Sequence, residues 1–536
     1  MAQFPFRLNL QSMVFPLLSE LSGRTVINPG ADQTFVPGVS ISVENTQVPV
    51  DRGTPQVYYM HNVMPSTYGY QSIGYTTQYE GIDWQGSAPS PVSFEVARLI
   101  QGGQLNGESR PISTSFKTYI SNPRAGTAGV MTLDPATKRW KVAAGAPNLA
   151  EDTRITVATV NGVSYIFFSK LGCYIYNNST NKLIPRPLAG LDTSKVLGII
   201  SSNGYLLAYT ADSVAWSSVT NVEDFVISDV SGAGGGSVQE AKGKIVTAAT
   251  TSLGFILYTA ANSVSVIYSG NADFPWNFKG ISSSGGVSDP ELVSEEQTGG
   301  FQQVYTTNGL QRIGHTGAQT TMPQVTDFIS GNLFEDYDPV TNKFTTVSIN
   351  WTMRKGLGVI ADRYIIISYG LDPVKSMTHA LVMDLAQSRL GKLKIPHNFC
   401  FELKSLADQV VENPRGSLAV LQSDGTIKSV DFTFNKEADD AVILLGKFQL
   451  ARQRMVELFS VEMENIKAGA GFSIDALAAL DGKNWLAPVP GYLLEANPNY
   501  RNYVFDSVVG VNVSLSIRGR FNIISAILWL GVHGRP

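Results

Sequence analysis

An all-β chain built from repeated four-stranded units is what this 536-residue sequence predicts. Three observations carry that expectation. The first is a phrase of two short apolar strands around a polar turn, found at 206–214, 256–264 and 304–310. Its tyrosines, Tyr209, Tyr258 and Tyr305, return at intervals of 49 and 47 residues, and a looser copy occupies 166–174. A hairpin repeated every 40–50 residues has the period of one propeller blade. The second is composition: Ser, Thr, Val, Ile and Tyr fill the apolar runs, aromatic residues reach 10% and there are 50 glycines. That mixture favours strands and turns over helices. The third is a change of grammar near residue 436, where short hairpins give way to longer alternating strands. The expected fold is therefore a six- or seven-bladed β-propeller with an N-terminal extended arm and a C-terminal β-sandwich or jelly-roll module. The expected boundaries are 1–75, 76–435 and 436–536.

Taken in order, residues 1–75 are a string of turn formers, with Asn28-Pro29-Gly30, Val36-Pro37-Gly38 and Asp51-Arg52-Gly53 between short extended pieces. Strand-like runs follow at 58–63 and 68–75. Such an arm either packs on a neighbouring subunit or wraps its own domain. From 76 to 435 hairpin follows hairpin. Six centre near residues 167, 209, 258, 305, 367 and 421, and one more is expected within 85–135. These six read as the inner hairpins of their blades. Segments 131–140, 174–183 and 381–390 read as outer hairpins, turned by Asp or Asn with small polar residues. Asp424-Gly425 is a strong hairpin turn. Residues 231–237, rich in glycine, read as a flexible loop, and 326–334 as a short helix with a Thr326/Asp327 cap. Beyond the polar joint at 435–440, strands are expected at 454–464, 471–480 and 511–518.

A search for chemistry returns no catalytic, cofactor-binding or metal-binding residue. The five histidines, His61, His315, His379, His397 and His533, have no partners at metal-ligand spacing. His315 lies in the turn Gly314-His315-Thr316-Gly317 and reads as a polar turn residue. No Gly-x-Ser-x-Gly elbow and no phosphate loop occurs, and Gly234-Gly235-Gly236 lacks the strand-to-helix setting of a phosphate cradle. Glu295-Glu296 and Glu335-Asp336-Tyr337-Asp338 are acidic clusters that read as solvated loop charge; paired carboxylates are otherwise the tools of glycoside hydrolysis. Trp216-Ser217 with Asp224-Phe225, and Tyr268-Ser269 with Asp273-Phe274, hold matching places after two successive repeats. Blade packing explains that match better than sugar stacking.

Charged residues are only 16% of the chain and the net charge is −4. No basic footprint exists for gripping nucleic acid. Cys173 and Cys400 sit in apolar runs and are expected as buried free thiols, the count excluding a disulfide framework. A reducing compartment of synthesis follows. The start, Met1 to Pro5, does not read as a signal peptide. The longest apolar stretch, 523–532, is too short to span a bilayer as a helix and reads as a buried strand.

Residues 253–271 (LGFILYTAANSVSVIYSGN), Gly285-Gly286-Val287 and 304–314 (VYTTNGLQRIG) resemble the β-propeller nozzle, or tail-tube, proteins of short-tailed bacteriophages. The resemblance continues through 446–450 and 518–521 and covers about 160–536. It implies a structural virion protein, not an enzyme, made in the host cytoplasm. It further implies a homo-oligomeric ring, usually six-fold, below the portal and its adaptor. Tail fibres or spikes attach outside such a ring, and DNA passes through the lumen without specific binding. No catalytic motif or cofactor transfers. A glycan-binding or glycan-cleaving propeller and a monomeric protein-interaction propeller are the alternatives; the first needs acids and aromatics converging on one face, the second a charged outer surface.

Overall fold

The computed structural model describes residues 3–10, 25–27, 57–79, 82–83, 98–102, 117–121, 130–134, 139–142, 144–147, 153–177, 180, 182–228, 230–271, 274–294, 299–322, 325, 333–338, 343–348, 356–360, 364–370, 377–397, 399–403, 417–422, 427–431, 441–450, 455–464, 466–469, 471–480, 486–497 and 500–532. These form an all-β chain in which seven sheets follow one another as blades, the sixth of them part of an eight-stranded sheet, a two-stranded sheet of Leu333–Asp338 and Lys343–Ser348 comes between the fifth and sixth, and two further sheets of five and six strands face each other. Blade 1 comprises Arg98–Gly102, Lys117–Ser121, Val130–Asp134 and Arg139–Val142. The pair Ile82–Asp83 adds to its outer strand in parallel. Blades 2, 3 and 4 are regular four-stranded meanders over 155–185, 198–237 and 245–280.

Blade 5 has Phe301–Thr306, Gly309–Gly314 and Gly317–Thr320 as its second to fourth strands. Its first strand is reduced to the bridge Val293↔Val304. Blade 6 runs from Gly356–Ile360 to Arg389–Leu393. In blade 7, Phe399–Leu403, Ser417–Leu421 and Ile427–Asp431 are joined by Gly74–Tyr79, a strand that precedes blade 1 in sequence. Closing the last blade with the first segment occupies an edge that would otherwise stay open. The first strands of successive blades pack on one another, from Arg98–Gly102 to Ile155–Val160, then Gly198–Ser202 and Ile245–Thr251, and again between Gly356–Ile360 and Phe399–Leu403. They mark the axis. The repeated phrase is therefore the second and third strands of each blade rather than an innermost hairpin.

Cores form where neighbouring blades meet. Phe167, Ile199 and Phe225 share one cluster between blades 2 and 3; Leu207, Phe255 and Trp276 share the next; Tyr258, Val287 and Ile313 share the one after. The recurrent Tyr-Thr pair explains why the phrase repeats. The tyrosine closes the second strand and reaches the following blade. Tyr258 donates its hydroxyl to Gln302 Oε1 of blade 5, and Tyr209 hydrogen-bonds Thr247 of blade 4. Burial pushes the Tyr258 hydroxyl well above its ordinary pKa, so it remains a donor. The threonine that follows ties its own turn: Thr259 Oγ1 donates to the Asn262 carbonyl at 2.8 Å, and Thr306 Oγ1 to the Gly309 carbonyl at 3.0 Å. Gly286 threads past these turns, where an added Cβ would sit 2.0 Å from the Ala260 carbonyl oxygen. Only glycine fits there.

The C-terminal module is a sandwich. One sheet contains Val456–Glu464, Tyr492–Asn497, Tyr500–Gly510 and Ser525–Val532; the other contains Val442–Leu450, Ser473–Ala479, Val489–Pro490 and Asn512–Arg518. Described parts of the N-terminal arm wrap this same chain. Gln3–Asn9 adds antiparallel to Ser525–Val532, while Thr25–Ile27 and Val57–His61 both pair with Val442–Leu450. Phe6 thereby meets Phe448 edge to face inside the shared core, with ring centroids 5.8 Å apart. Val63–Pro65 and Tyr70–Ser72 then continue blade 6 outward to Phe521–Ile523, so one eight-stranded sheet runs from propeller to sandwich. Arg389 of blade 6 is buried at this junction and donates to the carbonyls of Gly69 (2.9 Å), Leu10 (3.4 Å) and Ser66.

Two local expectations are corrected. Gly234–Ser237 is the outermost strand of blade 3, not a flexible loop. Its glycines let the backbone lie on a tryptophan, since a Cβ at Gly234 would fall 2.6 Å from the Trp216 ring. Leu333 and Phe334 begin the strand Leu333–Asp338, which pairs with Lys343–Ser348; the remainder of the expected helix, 326–332, lies outside the described residues.

Candidate functional site

The residues with chemical potential are dispersed and built into packing. His315 stands at the turn between the last two strands of blade 5 and reaches back to blade 4. Thr251 Oγ1 lies 2.6 Å from its Nε2 and Ser265 Oγ 2.6 Å from its Nδ1. Partial burial lowers its pKa. His397 Nε2 is 2.9 Å from Ser368 Oγ, and His379 stacks on Tyr369 with centroids 5.6 Å apart. His61 Nδ1 is 3.2 Å from the Tyr59 hydroxyl. Cys173 is a buried free thiol whose pKa burial pushes up to about 12, which keeps it unreactive.

The acidic cluster Glu335-Asp336-Tyr337-Asp338 belongs to a paired strand rather than a loop, with Asp336 opposite Thr345. Glu295, Glu296, His533 and the Asp424-Gly425 turn lie outside the described residues. Among the described residues no three His, Cys, Asp or Glu side chains come together to hold a metal ion. No helix among them is long and apolar enough to cross a membrane.

Among the described residues, most of the large apolar side chains left exposed fall in two places, with Tyr68, Val163, Leu171, Leu480 and Leu486 bared elsewhere. Strands alternate in direction within a blade, so the turn after the first strand and the loop after the third emerge at one end of the propeller. At that end of blade 3 the loop after Ser213–Trp216 bares Val226, Ile227 (72% exposed) and Val230 (99%). At the same end of blade 4 Leu253, Ile267 and Phe274 are bared, Phe274 by 75%. These three are neighbours: the Tyr268 amide donates to the Leu253 carbonyl, and Ser269 Oγ to that of Phe274. The second place is the strand Tyr492–Asn497, which forms a sheet edge and is exposed along its whole length. Composition hinted at both, through few charges and many aliphatics, but no sequence pattern marks the individual residues.

The two matched aromatic-Ser…Asp-Phe segments separate in space. Phe225 is buried between blades 2 and 3, whereas Phe274 faces outward.

No protein family and no curated protein matches the chain. Solved propellers and related folds do align, at low identity. YCF48 from Cyanidioschyzon merolae is 12% identical, with 66% of this chain and 98% of that one covered and a TM-score of 0.35. The extracellular domain of BT4673 from B. thetaiotaomicron is 11% identical, covering 87% and 60%, with a TM-score of 0.40. The WD40 β-propeller domain of Doa1 is 10% identical, covering 67% and 97%, with a TM-score of 0.34. The fold stands on the chain's own strand order: it is a β-propeller joined to a β-sandwich.

Proposed function

We propose that this chain is a structural, non-catalytic virion protein of a short-tailed bacteriophage, forming an oligomeric nozzle below the portal and adaptor. The observation that carries the reading is the pair of bare apolar surfaces on a chain with only 16% charged residues. A protein that worked alone in water would leave such surfaces to aggregate; one that enters an assembly buries them. The sheet shared by propeller and sandwich supports the same reading, because a conduit wall needs its parts held at fixed angles. The motifs that resemble the nozzle proteins are packing motifs, Gly286 and the Tyr258-Thr259 pair among them, as a family without catalysis requires. A net charge of −4 leaves the phosphate backbone little to adhere to as DNA passes. In this role its partners are copies of itself, the adaptor proteins above and fibres or spikes outside, and its place is the tail of the virion.

Light scattering with negative-stain imaging tests the proposal on the purified chain, alone and with the adaptor proteins of a short-tailed phage. A ring, in either condition, is the expected result. A lone chain that ignores adaptors but binds or trims a polysaccharide would overturn it in favour of a glycan-directed propeller.

A further inference from the structure

Strands from the first 79 residues are built into four different sheets. Gln3–Asn9, Thr25–Ile27 and Val57–His61 belong to the two sandwich sheets, Val63–Pro65 and Tyr70–Ser72 to the sheet of blade 6, and Gly74–Tyr79 to blade 7. The crossing from sandwich to propeller takes a single residue. Asn62 stands between Val57–His61 and Val63–Pro65 with a φ of 51°, a left-handed conformation that asparagine adopts more readily than most side chains. It is fully buried and both its oxygens are used. The carbonyl accepts the Ile73 amide, and Oδ1 accepts the Lys394 amide just past the last strand of blade 6, each at 2.7 Å. Beside this corner the sandwich meets the propeller directly. Ile443 and Leu445 face the sandwich core, so Val442 and Leu444 point out of it, where they pack with Tyr59 and Leu477. The Lys392 ammonium of blade 6 lies 5.1 Å from the centre of the Tyr59 ring.

Arg389 closes the crossing. Its Nη1 donates to the Gly69 carbonyl at 2.9 Å and to the Leu10 carbonyl at 3.4 Å, and its Nη2 to the Ser66 carbonyl and Gln387 Oε1. Its Cζ lies 5.3 Å from the centre of the Tyr70 ring. Gln387 in turn donates from Nε2 to the Thr67 carbonyl at 2.7 Å. One side chain of blade 6 thereby holds both the 66–69 turn and the residue that follows Gln3–Asn9. Those two places are also pressed on the sandwich. The Leu10 amide donates to the Ile524 carbonyl at 3.1 Å, and a Cβ on Gly69 would fall 1.8 Å from the Ile523 carbonyl oxygen. A guanidinium fork reaches carbonyls of separate segments, a spread that the compact ammonium of lysine does not match. Because these acceptors are backbone carbonyls, none can turn away unless its segment leaves.

We infer that the strands between Gln3 and Tyr79 form a strap that locks blades 6 and 7 to the sandwich as one cooperative unit, with Asn62 its corner and Arg389 its clasp. Domains joined only by a linker move against each other by default. Here the sandwich cannot swing or come away until ladder hydrogen bonds break in sheets of both domains. Releasing the strap strips blade 7 of its closing strand and takes a strand from each sandwich sheet, so loosening in one domain is felt in the other. The lock acts within one chain and holds whether or not copies assemble.

Native-state hydrogen exchange at rising urea tests the lock on the full chain. In the wild type, amides of His379–Asp384 in blade 6 and of Val456–Glu464 in the sandwich are expected to become exchange-competent at the same urea concentration. Arg389→Lys keeps the charge and loses the fork. Exchange at Leu10 and along Tyr70–Ser72 is then expected to rise about tenfold or more, with the two domains opening at separate urea concentrations. Asn62→Gly keeps the left-handed corner, removes the bond to the Lys394 amide and is expected to give a milder form of the same split. Arg154→Lys is the control. It disturbs a bond to the Val246 carbonyl, 2.6 Å long and inside the propeller, and is expected to leave the two domains opening together. Domains that open separately in the wild type overturn the lock outright. Arg389→Lys and Asn62→Gly proteins whose domains still open together overturn the roles given to those residues. An Arg154→Lys protein that splits the domains overturns the clasp as well, since any altered arginine would then do the same.

Discussion

Blades 3 and 4 are written in the same local grammar and end differently. Each has a third strand closing on an aromatic residue and serine, then a loop to Asp-Phe, then a fourth strand. In blade 3 the loop folds back on the linker 186–197 that leads in from blade 2. The Phe225 amide donates to the Ala189 carbonyl at 2.8 Å, that of Ala189 donates to the Glu223 carbonyl at 2.8 Å, and the Phe225 ring enters the interblade core. The linker entering blade 4 is only 238–244, and Phe274 is left facing water. One short motif thus serves as a core anchor in one blade and as a surface contact in the next. A residue's role in a repeat protein depends on what the neighbouring repeat sends toward it.

The sharpest way to break this comparison is to truncate both phenylalanines. Phe225→Ala should cost about 3–5 kcal/mol in urea unfolding, the penalty for emptying a packed site. Phe274→Ala should shift the same curve by less than about 0.5 kcal/mol. Equal costs would mean that Phe274 is buried in the free protein. Glycines give the next largest contrast. Gly286→Ala forces a Cβ onto the Ala260 carbonyl and should destabilise by about 1–3 kcal/mol, whereas Gly236→Ala meets nothing within 4 Å and should be near neutral. Tyr258→Phe removes the hydroxyl that Gln302 accepts across the blade 4 to blade 5 seam. A loss of about 1–2 kcal/mol is expected, with faster amide exchange along Phe301–Thr306 as the local readout.

The smallest effect concerns pH. Burial holds the His315 pKa below 6.5, so the unfolded chain takes up a proton before the folded one does. Its contribution is complete above pH 6.5 and is lost as pH falls from there toward the folded value. His315→Gln should flatten that part of the stability-against-pH curve; an unchanged slope would assign the dependence to other groups.

Much of the fold was legible because the repeat is a local device. Tyr209, Tyr258 and Tyr305 recur where a second strand must reach the next blade, and the threonine after each must close its own turn, so both leave a mark in the sequence. The C-terminal sandwich was legible because long alternating strands differ in period from short hairpins. Other features were not. Gly234–Ser237 reads as a loop because glycine-rich runs usually are, yet Trp216 lies beneath it and needs a strand without side chains. Leu333 and Phe334 have helical spacing, but Lys343–Ser348 supplies them with a ladder. The exposed surfaces were invisible residue by residue, since Ile227 and Ile256 are chemically alike and only the fold decides which of them meets water.

The sequence by itself determined the fold class, the repeat, and the absence of any patterned catalytic or metal-binding motif. Each of these follows from periodicity or from residue types at short spacing, and neighbours along the chain impose such patterns. Only the tertiary structure decided that Gln3–Asn9, Thr25–Ile27 and Val57–His61 pair with strands of the sandwich, that Gly74–Tyr79 completes blade 7, and that one sheet joins propeller to sandwich. Those pairings join residues hundreds of positions apart. Backbone hydrogen bonds form them from any strand of the right length and face, so side chains leave little record of which partner each strand will take.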